Sequence, residues 1–188
     1  PYNKNKKTRN ILYVTGVVAS RDTLDIFVCH MPSRRNGEEE SEPDRVFAAS
    51  ILKKQVDKVF KLRRNANIII MGDMNDEPSN KSIAKTLNAQ RNFNNPQRTG
   101  LYNLTSRFEG VKNQGSYKYG RQWNILDHII VSGNLLDNNK KRFHVLPQST
   151  TIFSRSFMLT DDKSNGGKRP KKTYHGYKHE GGFSDHLP

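Results

Sequence analysis

The chain is organised around residues 68–75, Ile-Ile-Ile-Met-Gly-Asp-Met-Asn. An unbroken apolar run of this length, rich in β-branched residues, reads as a strand buried on both faces. Glycine, a carboxylate and an amide close it. Ends of buried strands are where a rigid sheet holds side chains over a cleft. Asp73 there can bind a metal or orient a water, and Asn75 can donate its amide to a phosphate oxygen or ligate a metal. The plainer alternative is a turn in which both serve only as turn residues.

Upstream, residues 11–20 and 24–30 are strand-like and are separated by Arg21-Asp22-Thr23, which suggests an antiparallel hairpin. His30 ends the second strand, and Met31-Pro32 cannot continue it well. The acidic run Glu38-Glu39-Glu40 reads as solvated loop. Ser41 or Glu42 then caps a helix with Pro43 near its first turn. Val46, Ala49, Leu52, Val56, Val59 and Phe60 recur at helical spacing over about six turns, so the order is β-β-α-β. Arg45, in the first turn, could reach a site near His30 or sit on the surface.

Downstream, Ser79 can cap a short helix over 80–89, and 90–100 reads as loop. Residues 101–106 and 115–120 suggest short strands, and 129–131 a buried one with Asp127 at its entrance. Trp123 and Asn124 precede it and either line a cleft or, for Trp123, join the core. Residues 133–143 read as polar loop with Lys140-Lys141-Arg142, 144–153 as an edge strand, and 160–182 as a long basic loop with interleaved aromatics.

At 188 residues the simplest organisation is one domain over 1–188, expected to be a monomer. A net charge of +14 attracts polyanions: nucleic acid, anionic lipid headgroups or phosphorylated small molecules. The single cysteine, Cys29, excludes an intrachain disulfide and leaves the redox compartment open. No stretch approaches the length of a membrane span. The chain opens on Pro1, shows no signal peptide and stops at Leu187-Pro188, as expected of a piece of a larger protein. No feature points to a cellular address.

Three separated fragments line up: Gly72-Asp73-Met74-Asn75, Leu126-Asp127-His128-Ile129-Ile130-Val131-Ser132, and Ser184-Asp185-His186-Leu187-Pro188. With the His-ended strand Phe27-Val28-Cys29-His30 upstream, the set resembles the endonuclease/exonuclease/phosphatase family, to which deoxyribonuclease I-like enzymes belong. The resemblance runs from about residue 11 to 188. It implies an α/β fold, a four-layer α/β/β/α sandwich of two mixed sheets, incomplete at the N-terminus. The family's first strands carry an Asn and a metal-binding Glu, and no matching segments precede residue 11.

The residues of these fragments suit phosphoester hydrolysis. His186 is the expected general base, because imidazole titrates in the right range. Asp127 is the expected orienter of its ring, a pairing the resemblance also implies. Asp73 would orient the water or bind metal, Asn75 would contact a phosphoryl oxygen, and His30 would stabilise that oxygen or protonate the leaving group. Asp185 and Asp73 are the expected metal ligands. Carboxylate, amide and water donors favour Mg²⁺ or Mn²⁺ over Zn²⁺. His128 faces away from Asp127 along an extended segment and stays outside this set.

Arg45, Trp123, Asn124, Lys171 and Lys172 are the expected substrate contacts. The basic excess favours nucleic acid, and with it a nuclease acting through His-activated water. The alternatives are a small-molecule phosphatase, a sphingomyelinase-like lipid phosphodiesterase, and a non-catalytic basic fragment that docks on nucleic acid. Without the Glu, the piece itself is expected to be weakly active or inactive.

Overall fold

The structure, a computed structural model, describes residues 8–35, 37–137 and 143–188. Most of the basic lead-in and the Lys140-Lys141-Arg142 run lie outside these residues. Strands β1 (Leu12–Val17) and β2 (Thr23–His30) form the expected antiparallel hairpin. Helix α1 (Glu38–Leu62) carries the chain across to β3 (Asn67–Asp73), which lies parallel to β2. Next come β4 (Ala89–Gln90), β5 (Leu101–Asn103), the hairpin β6 (Tyr117–Tyr119) and β7 (Gln122–Asn124), and β8 (Asp127–Ser132). One six-stranded mixed sheet results, in the order β1-β2-β3-β8-β5-β4.

One face of this sheet meets α1. Ala48, Leu52, Val56 and Phe60, each four residues on from the last, and Val59 beside them pack on Phe27, Cys29, Ile68, Ile70 and Ile130 from alternate positions of the strands. The opposite face leaves Leu12, Val14, Val28 and Ile129 exposed. This is the face that a second sheet covers in a four-layer sandwich. Among the described residues the remaining strands form only two-stranded ribbons rather than a second continuous sheet.

Several local expectations are revised. Helix α1 starts at Glu38, with Gly37 at its N-cap, so the acidic run forms its first turn. Negative charge is favourable there, where unpaired N–H groups carry the positive end of the helix dipole. Pro43 consequently lies inside the helix. The short helix is a π-helical turn, Ser82–Leu87, closed by Asn88 in the left-handed region. Ser79 does not cap it; its N–H and hydroxyl both go to Glu109.

Residues 144–153 form no strand and contain a 3₁₀ turn at Pro147–Ser149. A proline there removes a ladder donor and favours the turn. The expected basic loop is partly ordered as two ribbons. These are β9 (Leu159–Asp161) with β10 (Lys168–Pro170), and β11 (Tyr174–His175) with β12 (Lys178–His179). Among the described residues no helix is long and apolar enough to cross a membrane.

Candidate active site

The site is a row across three strands. Register pairs His30 of β2 with Asp73 of β3, and Asp73 with Asp127 of β8. All three lie at the same edge of the sheet, because β2 and β3 run parallel and end there while β8 starts there. His30 Nε2 lies 3.3 Å from Asp73 Oδ2. The chain's closing segment completes the row: Leu187 N–H donates to Ser116 O at 2.7 Å, and a bridge joins His186 to Tyr117. His186 Nδ1 then sits 2.7 Å from Asp127 Oδ2, with the Tyr117 ring 4.8 Å from the imidazole.

Gly72 makes this register possible. Its φ is 125°, and a Cβ there would stand 2.0 Å from the Cys29 carbonyl oxygen. Only glycine lets β2 and β3 approach this closely just before Asp73.

Past Asp73, successive residues each dock on a different element. Asn75, at φ 50°, donates its backbone N–H to Asp73 Oδ1 at 2.8 Å and its side-chain amide to Met31 O at 3.1 Å. Asp76 is fully buried, 2.6 Å from Arg45 Nε on α1, a close ion contact without a well-aligned hydrogen bond. Glu77 accepts from the Asn124 amide at 2.8 Å and from the Ile125 N–H at 3.2 Å, which ties this loop to the entry of β8. Arg34 spans the same loop, donating to Asn75 O at 2.6 Å and Asn80 Oδ1 at 2.9 Å.

Burial pushes the Asp73 carboxyl above its ordinary value, against the Asn75 N–H and the nearby imidazoles. For His186, burial alone would disfavour the charged ring, but the hydrogen bond and charge of Asp127, with Asp73 and Asp185 behind it, outweigh that and raise its pKa. His128 is the reverse case. It is buried on the α1 side, its pKa is lowered by desolvation, and its ring lies 2.8 Å from Asp76 O and 2.7 Å from Asn103 Nδ2. It holds the loop and takes no place in the cleft.

The cleft over the row has a volume of about 880 Å³. His30, Asp73, Asn75, Asp127 and His186 all line it, so the expected catalytic residues are gathered in one place. Asp185 also lines it, but its carboxylate is 3.9 Å from Lys172 Nζ. The carboxylates of Asp73 and Asp127 and a ring nitrogen of His186 lie within 4.8 Å of one another, and Asp185 is outside that group. Two carboxylates beside open cleft, with room for water, are a donor set that fits a hard divalent cation such as Mg²⁺ or Mn²⁺.

The expected substrate contacts are dispersed. Asn124 faces the cleft with its amide on Glu77. Arg45 is wholly buried beneath Asp76 and cannot touch a ligand in the cleft. Trp123 lines a different cavity, because alternate residues of β7 point to opposite faces. Lys172 reaches the cleft edge only through Asp185, and Lys171 does not line it.

Arg34, Arg35, Tyr117, Tyr119 and Gln122 line the cleft and were not expected to. The alternation Tyr117-x-Tyr119 was the available signal for two of them. The arginines follow Pro32 in a loop, where no periodicity marks a face.

No curated protein matches the chain by sequence. Among solved structures, SmcL is similar over 94% of this chain and 56% of its own, at 18% identity and a TM-score of 0.52. Truncated Caenorhabditis elegans TDP2 is similar over 65% and 46%, at 15% identity and a TM-score of 0.47. The human Nocturnin catalytic domain with bound sulfate anion is similar over 61% and 37%, at 19% identity and a TM-score of 0.40. The chain thus spans between 37% and 56% of the length of these structures. The likeness to SmcL shows the fold, a mixed α/β architecture of the deoxyribonuclease I type. The profile of the Endonuclease/Exonuclease/phosphatase family matches residues 1–188, and the chain belongs to that family, whose members are hydrolases acting on phosphoester bonds.

Proposed function

We propose that this protein hydrolyses phosphodiester bonds in nucleic acid with the help of a divalent cation. The observation that carries the reading is the row His30–Asp73–Asp127 with His186 hydrogen-bonded to Asp127 at 2.7 Å. These groups come from three strands and the closing segment, and packing alone does not require them to converge.

Each residue has a task. Asp127 holds the His186 ring through Nδ1, which leaves Nε2 to accept a proton from the attacking water. Asn75 is pinned by Met31 O and retains a second amide N–H for a phosphoryl oxygen. His30, beside Asp73, is placed to donate a proton to the leaving oxygen or to neutralise the phosphoryl group. Asp73 and Asp127 are the residues that would hold the cation, which supplies positive charge to the developing phosphorane oxygens.

Nucleic acid is favoured by the net charge of +14 and by Arg34 and Arg35 in the cleft wall. A phospholipid phosphodiesterase is the second reading. It is favoured by Tyr174, Tyr177 and Phe183, which stand exposed on and beside the β11–β12 hairpin.

The test is conversion of supercoiled plasmid to nicked circle by the purified full-length protein, with Mg²⁺ and with EDTA. Inositol phosphate and sphingomyelin are run as parallel substrates. Metal-dependent nicking supports the reading, and release of product only from one of the parallel substrates replaces it.

A further inference from the structure

The β6–β7 hairpin has two faces, and only one belongs to the cleft. Tyr117, Tyr119, Gln122 and Asn124 line the cleft, whereas Lys118, Arg121 and Trp123 line a second cavity of about 830 Å³. Strand alternation places the two cavities back to back across one hairpin. Phe108 adds a second aromatic wall, Asn113 and Gln114 add amides, and Lys168 adds a cation. Lys118 is committed to Asp162 at 2.9 Å, so it is not the group that meets a ligand. Among the described residues the ion pair of Lys168 is with the exposed Asp161 carboxylate, a contact that water and salt screen.

We propose that this cavity is a nucleobase subsite. It takes one unpaired base of a strand whose backbone runs over the hairpin into the cleft, with the base stacked on Trp123 and its phosphate near Arg121 and Lys168. The proposal rests on the nuclease reading above. The lining is mixed, with Phe108, Ile152, Leu159 and Leu187 offering apolar walls to the faces of a base and the amides of Asn113 and Gln114 favouring a base over an acyl chain. An acyl chain would desolvate the amides of Asn113 and Gln114 and leave them unpaired, whereas the polar edge of a base offers them partners. A flat indole beside cations suits stacking with backbone neutralisation, a mode that tolerates any base. The cavity volume lies within the usual range for small-ligand pockets.

Trp123 is the sole tryptophan, so fluorescence excited at wavelengths that tryptophan absorbs and tyrosine does not reports on this cavity alone. The protein is titrated in EDTA with a short single-stranded oligodeoxynucleotide and with an abasic strand of equal length and charge. Affinities are read by anisotropy of a labelled strand. The base-bearing strand should quench Trp123 and bind more tightly than the abasic one. Trp123→Ala should weaken the base-bearing strand by about 5- to 150-fold and leave the abasic strand unchanged, while Trp123→Phe keeps most of the affinity. Arg121→Gln, at an exposed turn, should weaken both strands.

Equal affinity for the two strands with no change in fluorescence overturns the subsite and leaves the nuclease reading standing. Binding of neither strand overturns both. A blue shift with anionic phospholipid vesicles and no response to either strand overturns the base subsite in favour of a lipid surface.

Discussion

His186 Nδ1 and Asp127 Oδ2 lie 2.7 Å apart although 59 residues separate them in the chain. The contact depends on the closing segment lying against Ser116 and Tyr117, and on β3 and β8 being paired in one register. The catalytic roles proposed for His186 and Asp127 therefore stand or fall with this pair.

Asp127 raises the pKa of His186 against the opposing effect of burial. In the metal-free protein, NMR titration of this ring should give a value above the ordinary 6.5. Asp127→Asn should move it down. The folded value exceeds the unfolded one, so the pair stabilises the fold below pH 6.5 and loses that contribution as pH rises through the folded value. A general base must be neutral, so the acid limb of the cleavage rate should rise with pH and shift downward in Asp127→Asn. The plateau should fall within the range of about 10²- to 10⁴-fold for lost general-base catalysis. An unshifted limb would remove Asp127 from its assigned role.

Gly72→Ala forces a methyl against the Cys29 carbonyl, 2.0 Å from its oxygen, at a positive φ. Urea unfolding should show a loss of about 2–4 kcal/mol. Activity should fall with it, since His30 and Asp73 are the next pair along this register.

The Arg45–Asp76 contact is buried on both sides. Arg45→Met leaves the Asp76 carboxylate, already disfavoured by burial, without its nearest cation. The expected cost is about 3–5 kcal/mol by chemical denaturation. The double variant with Asp76→Asn should recover part of it. Full stability in Arg45→Met alone would show that Arg34, 3.4 Å from Asp76, suffices.

Affinity for duplex DNA should drop steeply with salt. If six or more phosphates are contacted, a fourfold salt increase weakens binding by about 10³-fold or more. A flat salt dependence would argue against a polyanion as substrate.

Much of the candidate site's geometry is legible in the sequence. The apolar run ending in Gly72-Asp73-Met74-Asn75 marked a strand that delivers polar groups at its edge, and β3 does so. Spacing of Leu52, Val56 and Phe60 marked the buried stripe of α1, and those residues form the core beneath the row. The start of α1 lies upstream of the expected one because Ser41 looks like a cap, whereas its hydroxyl donates back to Gly37 O in the first turn. Two-residue and three-residue strands between 159 and 179 carry no period long enough to detect, and their charges mask them further. Trp123 and Asn124 looked alike in sequence because they are neighbours. Only the hairpin geometry sends them into different cavities. Arg45 departs from its expected place because an isolated arginine gives no sign of the buried carboxylate that it meets from a loop 31 residues on, at Asp76.

The most direct measurement is the rate of plasmid nicking by the full-length protein that carries this chain and by its His186→Ala variant, each with Mg²⁺ and with EDTA. The account predicts nicking that requires the cation and falls by about 10²-fold or more in His186→Ala. A variant that nicks as fast as the wild type, or nicking untouched by EDTA, would contradict it.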